Sequence, residues 1–132
     1  MIGAAETEKS AAKRAITLRI DSVEVPVAWS EGAAETIDAL KALAAEKPLT
    51  RNMSPYGGFE QVGSVGQSLP RKDVRITTGA GDIVLYSGDQ IVIFYGANTW
   101  EYTYLGRIGL SAEDMKKLLG GEGVTVTFDL SE

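Results

Sequence analysis

The chain has 132 residues, 44% of them apolar and 23% charged, the composition of one folded domain rather than of two domains or a disordered segment. Its 13 Lys and Arg against 18 Asp and Glu leave a net charge of -5, which argues against a nucleic-acid partner because phosphate-backbone binders concentrate positive charge. With neither His nor Cys, the chain excludes disulfides, thiolate nucleophiles, imidazole bases and every metal site built on those two residues.

Residues 1–14 are small, polar and charged with no apolar period, so a loose tail or expression remnant is expected there and a single domain over 15–132. The stretch MIGAAETEKSAAKRA has no apolar signal-peptide core, and no apolar run approaches the ~20 residues of a membrane span. A soluble monomer without a membrane span is expected, in a bacterial cytoplasm or as the mature form of an exported protein. From Ile16 the residues alternate, with Ile16, Leu18 and Ile20 on one face, and Val23, Val25 and Val27 resume the alternation after Asp21-Ser22, which predicts an opening hairpin. Ser30 is a helix cap, and Ile37, Leu40 and Ala44 form one apolar stripe on a helix over 31–46, stopped before Pro48.

Residues 49–80 carry a short strand candidate at Leu49–Met53 and then a long irregular stretch punctuated by Gly and Pro, the kind of segment that carries function. Ile83–Tyr86 and Gln90–Tyr95 are near-continuous apolar runs, as paired strands buried on both faces require. Tyr102–Ile108 is a further strand. Ser111 with Asp114 resembles a capping box opening a helix over 112–119, and Val124, Val126, Phe128 and Leu130 alternate in a last strand. The core list is Ile16, Leu18, Ile20, Val25, Ile37, Leu40, Ile83, Leu85, Ile91, Ile93, Leu118, Val126 and Phe128. So many strands with two helices in so short a chain suggest a small barrel closed at its ends, since closure removes exposed edges.

The segment GDIVLYSGDQIVIFYG at 81–96, followed by YLGRI at 104–108, resembles the bacterial cyclophilin-like family of small β-barrel domains. Thr50-Arg51-Asn52-Met53 and Leu69-Pro70 match further motifs of that family in order, and the resemblance runs over residues 16–130. It implies a mainly β fold, a closed antiparallel eight-stranded barrel capped by two α-helices and related to the peptidyl-prolyl isomerases. It does not imply their activity, because members of the family are largely of unknown function.

Isomerisation about an X-Pro bond needs an apolar slot and a donor aimed at the twisted imide, and neither a nucleophile nor a metal. In cyclophilins that donor is an Arg on the strand after the first helix, so the resemblance would assign the catalytic role to Arg51. The surrounding Phe-His-Arg and Phe-Met-x-Gln-Gly-Gly patterns are missing, and a supporting His does not exist. The expectation is therefore a domain that takes a short peptide or small ligand without efficient catalysis, through Met53, Tyr56, Phe59, Glu60, Gln61, Phe94 and Trp100. Aromatic rings with one carboxyl offer apolar area and hydrogen bonds together. A weak peptidyl-prolyl isomerase and a purely structural or interaction module are the alternatives. No cofactor or metal is expected: Asp82 and Asp89 read as turn acids, and phosphate-loop, dinucleotide and hydrolase-elbow motifs are missing.

Overall fold

A computed structural model describes residues 14–131. The expected tail over 1–14 lies outside the described residues except for Arg14, whose guanidinium donates to the carbonyls of Ser131 (2.6 Å) and Leu130 (3.2 Å).

The strands are β1 (Ile16–Ile20), β2 (Val23–Val25), β3 (Val27–Trp29), β4 (Leu49–Asn52), β5 (Ser54–Tyr56), β6 (Glu60–Ser64), β7 (Val74–Thr78), β8 (Asp82–Tyr86), β9 (Gln90–Phe94), β10 (Asn98–Ile108) and β11 (Thr125–Leu130). The stretch expected to be irregular thus holds β5, β6 and β7, which pair as a hairpin on β9 and as a partner of β10 although their own sequence shows no sustained apolar alternation. The expected first helix is a 3-10 turn at Glu31–Ala33 running into α1 (Ala34–Leu43), with the Ser30 hydroxyl accepting from the Gly32 amide at 3.2 Å. The second helix, α2 (Ala112–Leu119), starts where the Ser111 hydroxyl accepts from the Asp114 amide at 3.1 Å. Ser111→Ala is expected to lower stability by about 1 kcal/mol, because one first-turn N–H loses its acceptor; equilibrium urea unfolding measures it, and a loss below about 0.2 kcal/mol would show that the cap contributes nothing.

The molecule is mainly β with two α-helices. Its hydrogen-bonded ladders form two antiparallel sheets, β2-β1-β11-β4 and β3-β10-β8-β9-β6-β5, rather than one continuous ring, with β7 paired to the first half of β10. Two backbone runs serve both sheets. β2 and β3 are separated only by Pro26, which has no N–H to donate to a ladder, and β4 and β5 only by Met53, whose amide bonds the Val124 carbonyl at 2.7 Å.

The apolar runs of the second sheet are buried on both faces, as their continuity predicts. Ile83, Leu85, Ile91, Ile93 and Leu105 join the main core with Leu18, Ile20, Val126 and Phe128, and α1 and α2 pack Ile37, Leu40, Met115 and Leu119 onto it. Val84, Val92, Phe94 and Tyr102 form a second cluster on the opposite face. Every residue of the expected core is buried except Leu118, which is only partly buried; α2 instead turns Met115 and Leu119, four apart, inward.

Candidate functional site

The second apolar cluster underlies a cleft of about 590 Å³ lined by Ser54, Pro55, Tyr56, Glu60, Val62, Tyr86, Gln90, Asn98, Trp100 and Tyr102. One wall is the β5–β6 hairpin, where Tyr56 stands opposite Glu60 across a three-residue loop. Gly57 and Gly58 turn that loop with φ of +66° and +74°, a left-handed pair that side chains with a Cβ adopt only at a cost. Phe59 then folds back over Gly57, its ring 6.2 Å from Tyr56 and 6.5 Å from Phe94, which braces the hairpin on the sheet.

The floor and far wall come from β8, β9 and β10. Tyr86 and Gln90 face each other in the β8–β9 register, and the Tyr102 ring meets Tyr86 at 6.0 Å and Phe94 at 5.6 Å, both edge-on. The Asn98 amide donates to the Tyr102 hydroxyl at 2.7 Å. Burial pushes the Tyr102 phenol above its ordinary value near 10; the Asn98 hydrogen bond opposes this, and Glu60 and Tyr86 add to it.

Glu60 is the one charged residue of the lining and is 6% exposed. Among the described residues no hydrogen bond or ion pair reaches its carboxyl, yet no side-chain oxygen sealed from solvent lacks a partner, so the carboxyl oxygens open to the cleft. Burial without compensation raises its pKa to about 7. The adjacent residue does the opposite. Gln61 is fully buried on the other face of β6, its amide donating to the carbonyls of Leu119 (2.8 Å) and Glu122 (3.0 Å) while its oxygen accepts from the Val124 amide (3.3 Å). It ties the end of α2 to the approach to β11 and presents nothing to the cleft.

The structure thus brings Tyr56, Glu60 and Trp100 of the expected site together on the cleft. Phe59 and Phe94 lie behind its wall, and Met53 is buried in the main core. Arg51 lies on β4 in the other sheet, where its guanidinium donates to the carbonyls of Val65 and Thr50, both at 2.9 Å, and it is not a lining residue. Sequence reasoning, which sets the cleft between the 54–61 loop and the strand over 90–95, reaches Gln90 but misses Val62, Tyr86 and Asn98, and it takes Tyr102 as a packing residue rather than a lining one. The spacing of Trp100 and Tyr102, two apart on one strand, was the available signal.

Asp82 is a buried structural acid. Arg107 Nε donates to it at 2.7 Å, the Tyr104 hydroxyl at 3.2 Å and the Gly79 amide at 2.8 Å, which leaves it committed within the fold. Among the described residues no three acidic, His or Cys side chains gather as a metal site, and no helix is long and apolar enough to cross a membrane.

A family model described as cyclophilin-like matches residues 18–129. The solution structure of a hypothetical protein from Archaeoglobus fulgidus is similar over 88% of this chain and 93% of that one, with a TM-score of 0.57 and 21% identity, a likeness of fold. No curated protein matches the chain.

Proposed function

This chain belongs to the cyclophilin-like family, and from that premise we propose that it is a monomeric binding domain that takes a short peptide or small ligand in the Glu60 cleft without efficient catalysis. The observation that carries the reading is the cleft itself, a concave, aromatic-walled space of about 590 Å³ with a few polar groups converging on it, the usual make-up of a ligand site. Support for a non-catalytic role comes from the lining chemistry. It offers a carboxyl, two amides and several hydroxyls but no Arg or Lys, and so no cation to polarise a twisted imide.

The same reading takes the scaffold as a closed barrel. Counting β2–β3 and β4–β5 each as one bent strand, the neighbours run β1, β2–β3, β10, β8, β9, β6, β5–β4, β11 and back to β1, eight strands in a ring with β7 outside it. Gly63 supports the closure at one corner: a Cβ there would stand 2.8 Å from the Asn52 carbonyl, so β6 and the β4–β5 bend approach backbone to backbone. A rigid ring suits a site whose walls come from strands rather than from mobile loops.

Amide NMR titration with Pro-containing peptides tests the binding reading. Shifts are expected at Tyr56, Glu60, Tyr86 and Trp100 and not at Arg51. No cleft shift at millimolar peptide or with small amines would leave a structural or interaction module as the better description.

A further inference from the structure

We propose that the ligand group recognised in this cleft is a cation, an ammonium or guanidinium seated against the Glu60 carboxylate among the rings of Tyr56, Tyr86, Trp100 and Tyr102. The inference rests on the binding reading above and names its ligand class. A carboxylate that is nine-tenths buried, opens to a cleft and has no protein donor or cation lacks the compensation that buried charges ordinarily receive. Elsewhere in this molecule the rule is kept, since buried Asp82 holds Arg107 and two further donors. At Glu60 the missing partner has room to enter from outside.

The walls point the same way. Aromatic rings attract cations and give anions nothing comparable, and four of the lining residues are Tyr or Trp. Trp100 is half exposed at the rim and Tyr56 more so, which leaves their rings accessible to an incoming group. The Gln90 and Asn98 amides supply hydrogen-bond acceptors for the remaining N–H groups of an ammonium or guanidinium. The net charge of -5 disfavours an anionic ligand on approach.

The competing possibility is a neutral ligand whose carbonyl accepts a proton from un-ionised Glu60, and the two differ in the sign of their pH dependence. The other titratable groups facing Glu60 are the phenols of Tyr56 on β5, Tyr86 on β8 and Tyr102 on β10, and the lining contains no Lys, Arg or Asp. With the Glu60 pKa at about 7 in the free protein, a cation binds the ionised form and gains affinity as pH rises through that value. A carbonyl ligand loses affinity over the same range.

NMR titration of the full chain with N-acetyl-lysine methylamide, its norleucine counterpart and n-butylammonium, at pH 5.5 and 8, decides between them. The lysine compound is expected to bind about tenfold or more tightly than the norleucine compound at pH 8, with that preference shrinking at pH 5.5 and vanishing in Glu60→Gln. Trp100→Leu, at a half-exposed position, should weaken the lysine compound several-fold and by a larger factor than it weakens the norleucine compound. Equal affinity for lysine and norleucine at pH 8, or tighter binding at pH 5.5, would overturn the cation while leaving a binding cleft. No cleft shift with any of these compounds or with Pro-containing peptides would overturn the binding reading as well. Butylammonium matching the lysine compound would identify a free amine as the source of the cation, and much weaker binding would identify a peptide side chain; both results support the proposal.

Discussion

Glu60→Gln is expected to stabilise the protein at pH 8 by up to about 3 kcal/mol and to leave it almost unchanged at pH 4. The Glu60 carboxyl titrates near 4.5 when solvated and at about 7 in the fold, raised by burial. Between those values the folded chain keeps a proton that the unfolded chain has released, so the folded state binds more protons and its stability falls as pH rises. Below 4.5 both states are protonated and nothing is lost; above 7 both are ionised and the whole cost is present. At 1.36 kcal/mol per unit the shift corresponds to about 3 kcal/mol, an upper figure because burial relaxes when the charge forms. Gln fills the same space without ionising. Urea unfolding of both proteins across pH 4 to 8 measures the difference, and a gain that does not depend on pH would refute the burial of Glu60. An acid kept in a cleft at the expense of stability is a mark of a site rather than of a structural position.

Gln61→Ala, one residue away, is expected to do the reverse and cost about 3 to 5 kcal/mol. The substitution removes three hydrogen bonds, leaves the carbonyls of Leu119 and Glu122 and the amide of Val124 without their partner, and opens a cavity at a fully buried position. Gln61→Met separates the two causes, because it restores most of the volume and none of the polar partners. Recovery of less than about 1 kcal/mol by Met in urea unfolding is the expected result. Full recovery would mean that packing alone matters at this position and that the α2 terminus does not need the Gln61 amide. Neighbouring polar residues on one strand thus have opposite effects, the one open to a cleft and the other closing the fold.

The elements outside residues 54–80 were readable because each is locally consistent, whereas β5, β6 and β7 lie in the stretch read as irregular. Ile16, Leu18 and Ile20 alternate as β1 does, and Ser111 and Asp114 make the cap of α2, while Gly57-Gly58, read only as loop punctuation, turns the β5–β6 hairpin that sets the Tyr56 wall. The break at Pro26 was hidden inside an unbroken Val23, Val25, Val27 alternation, because the side-chain period continues across a bend that changes the ladder partner from β1 to β10. The site was less legible. Glu60 and Gln61 look equivalent as neighbouring polar residues after a glycine turn, and only the register of β6 with β5 and β9 sends one to each face. Arg51 matched a motif position, yet the carbonyls of Val65 and Thr50 hold its guanidinium away from the cleft.

The sequence by itself determined the chemistry available and many of the local elements: without His or Cys it ruled out imidazole and thiolate mechanisms, and its alternation, apolar runs and caps specified both helices and the strands outside residues 54–80. On β8 and β9 both faces are apolar, so the period alone does not say which side joins the main core; the expected core names Ile83, Leu85, Ile91 and Ile93, and they do lie there, with Val84, Val92 and Phe94 on the opposite face. The tertiary structure decided that choice by placing the two helices over the first side and the β5–β6 hairpin and β10 aromatics beside the second. It also decided the state of Glu60, since the burial that lifts its pKa follows from strand pairing, which sets Glu60 opposite Phe94 and brings Tyr102 of β10 to the same cleft. Local sequence carries periodicity and conformation; which buried face becomes a core and which a cleft depends on what the rest of the chain lays over it.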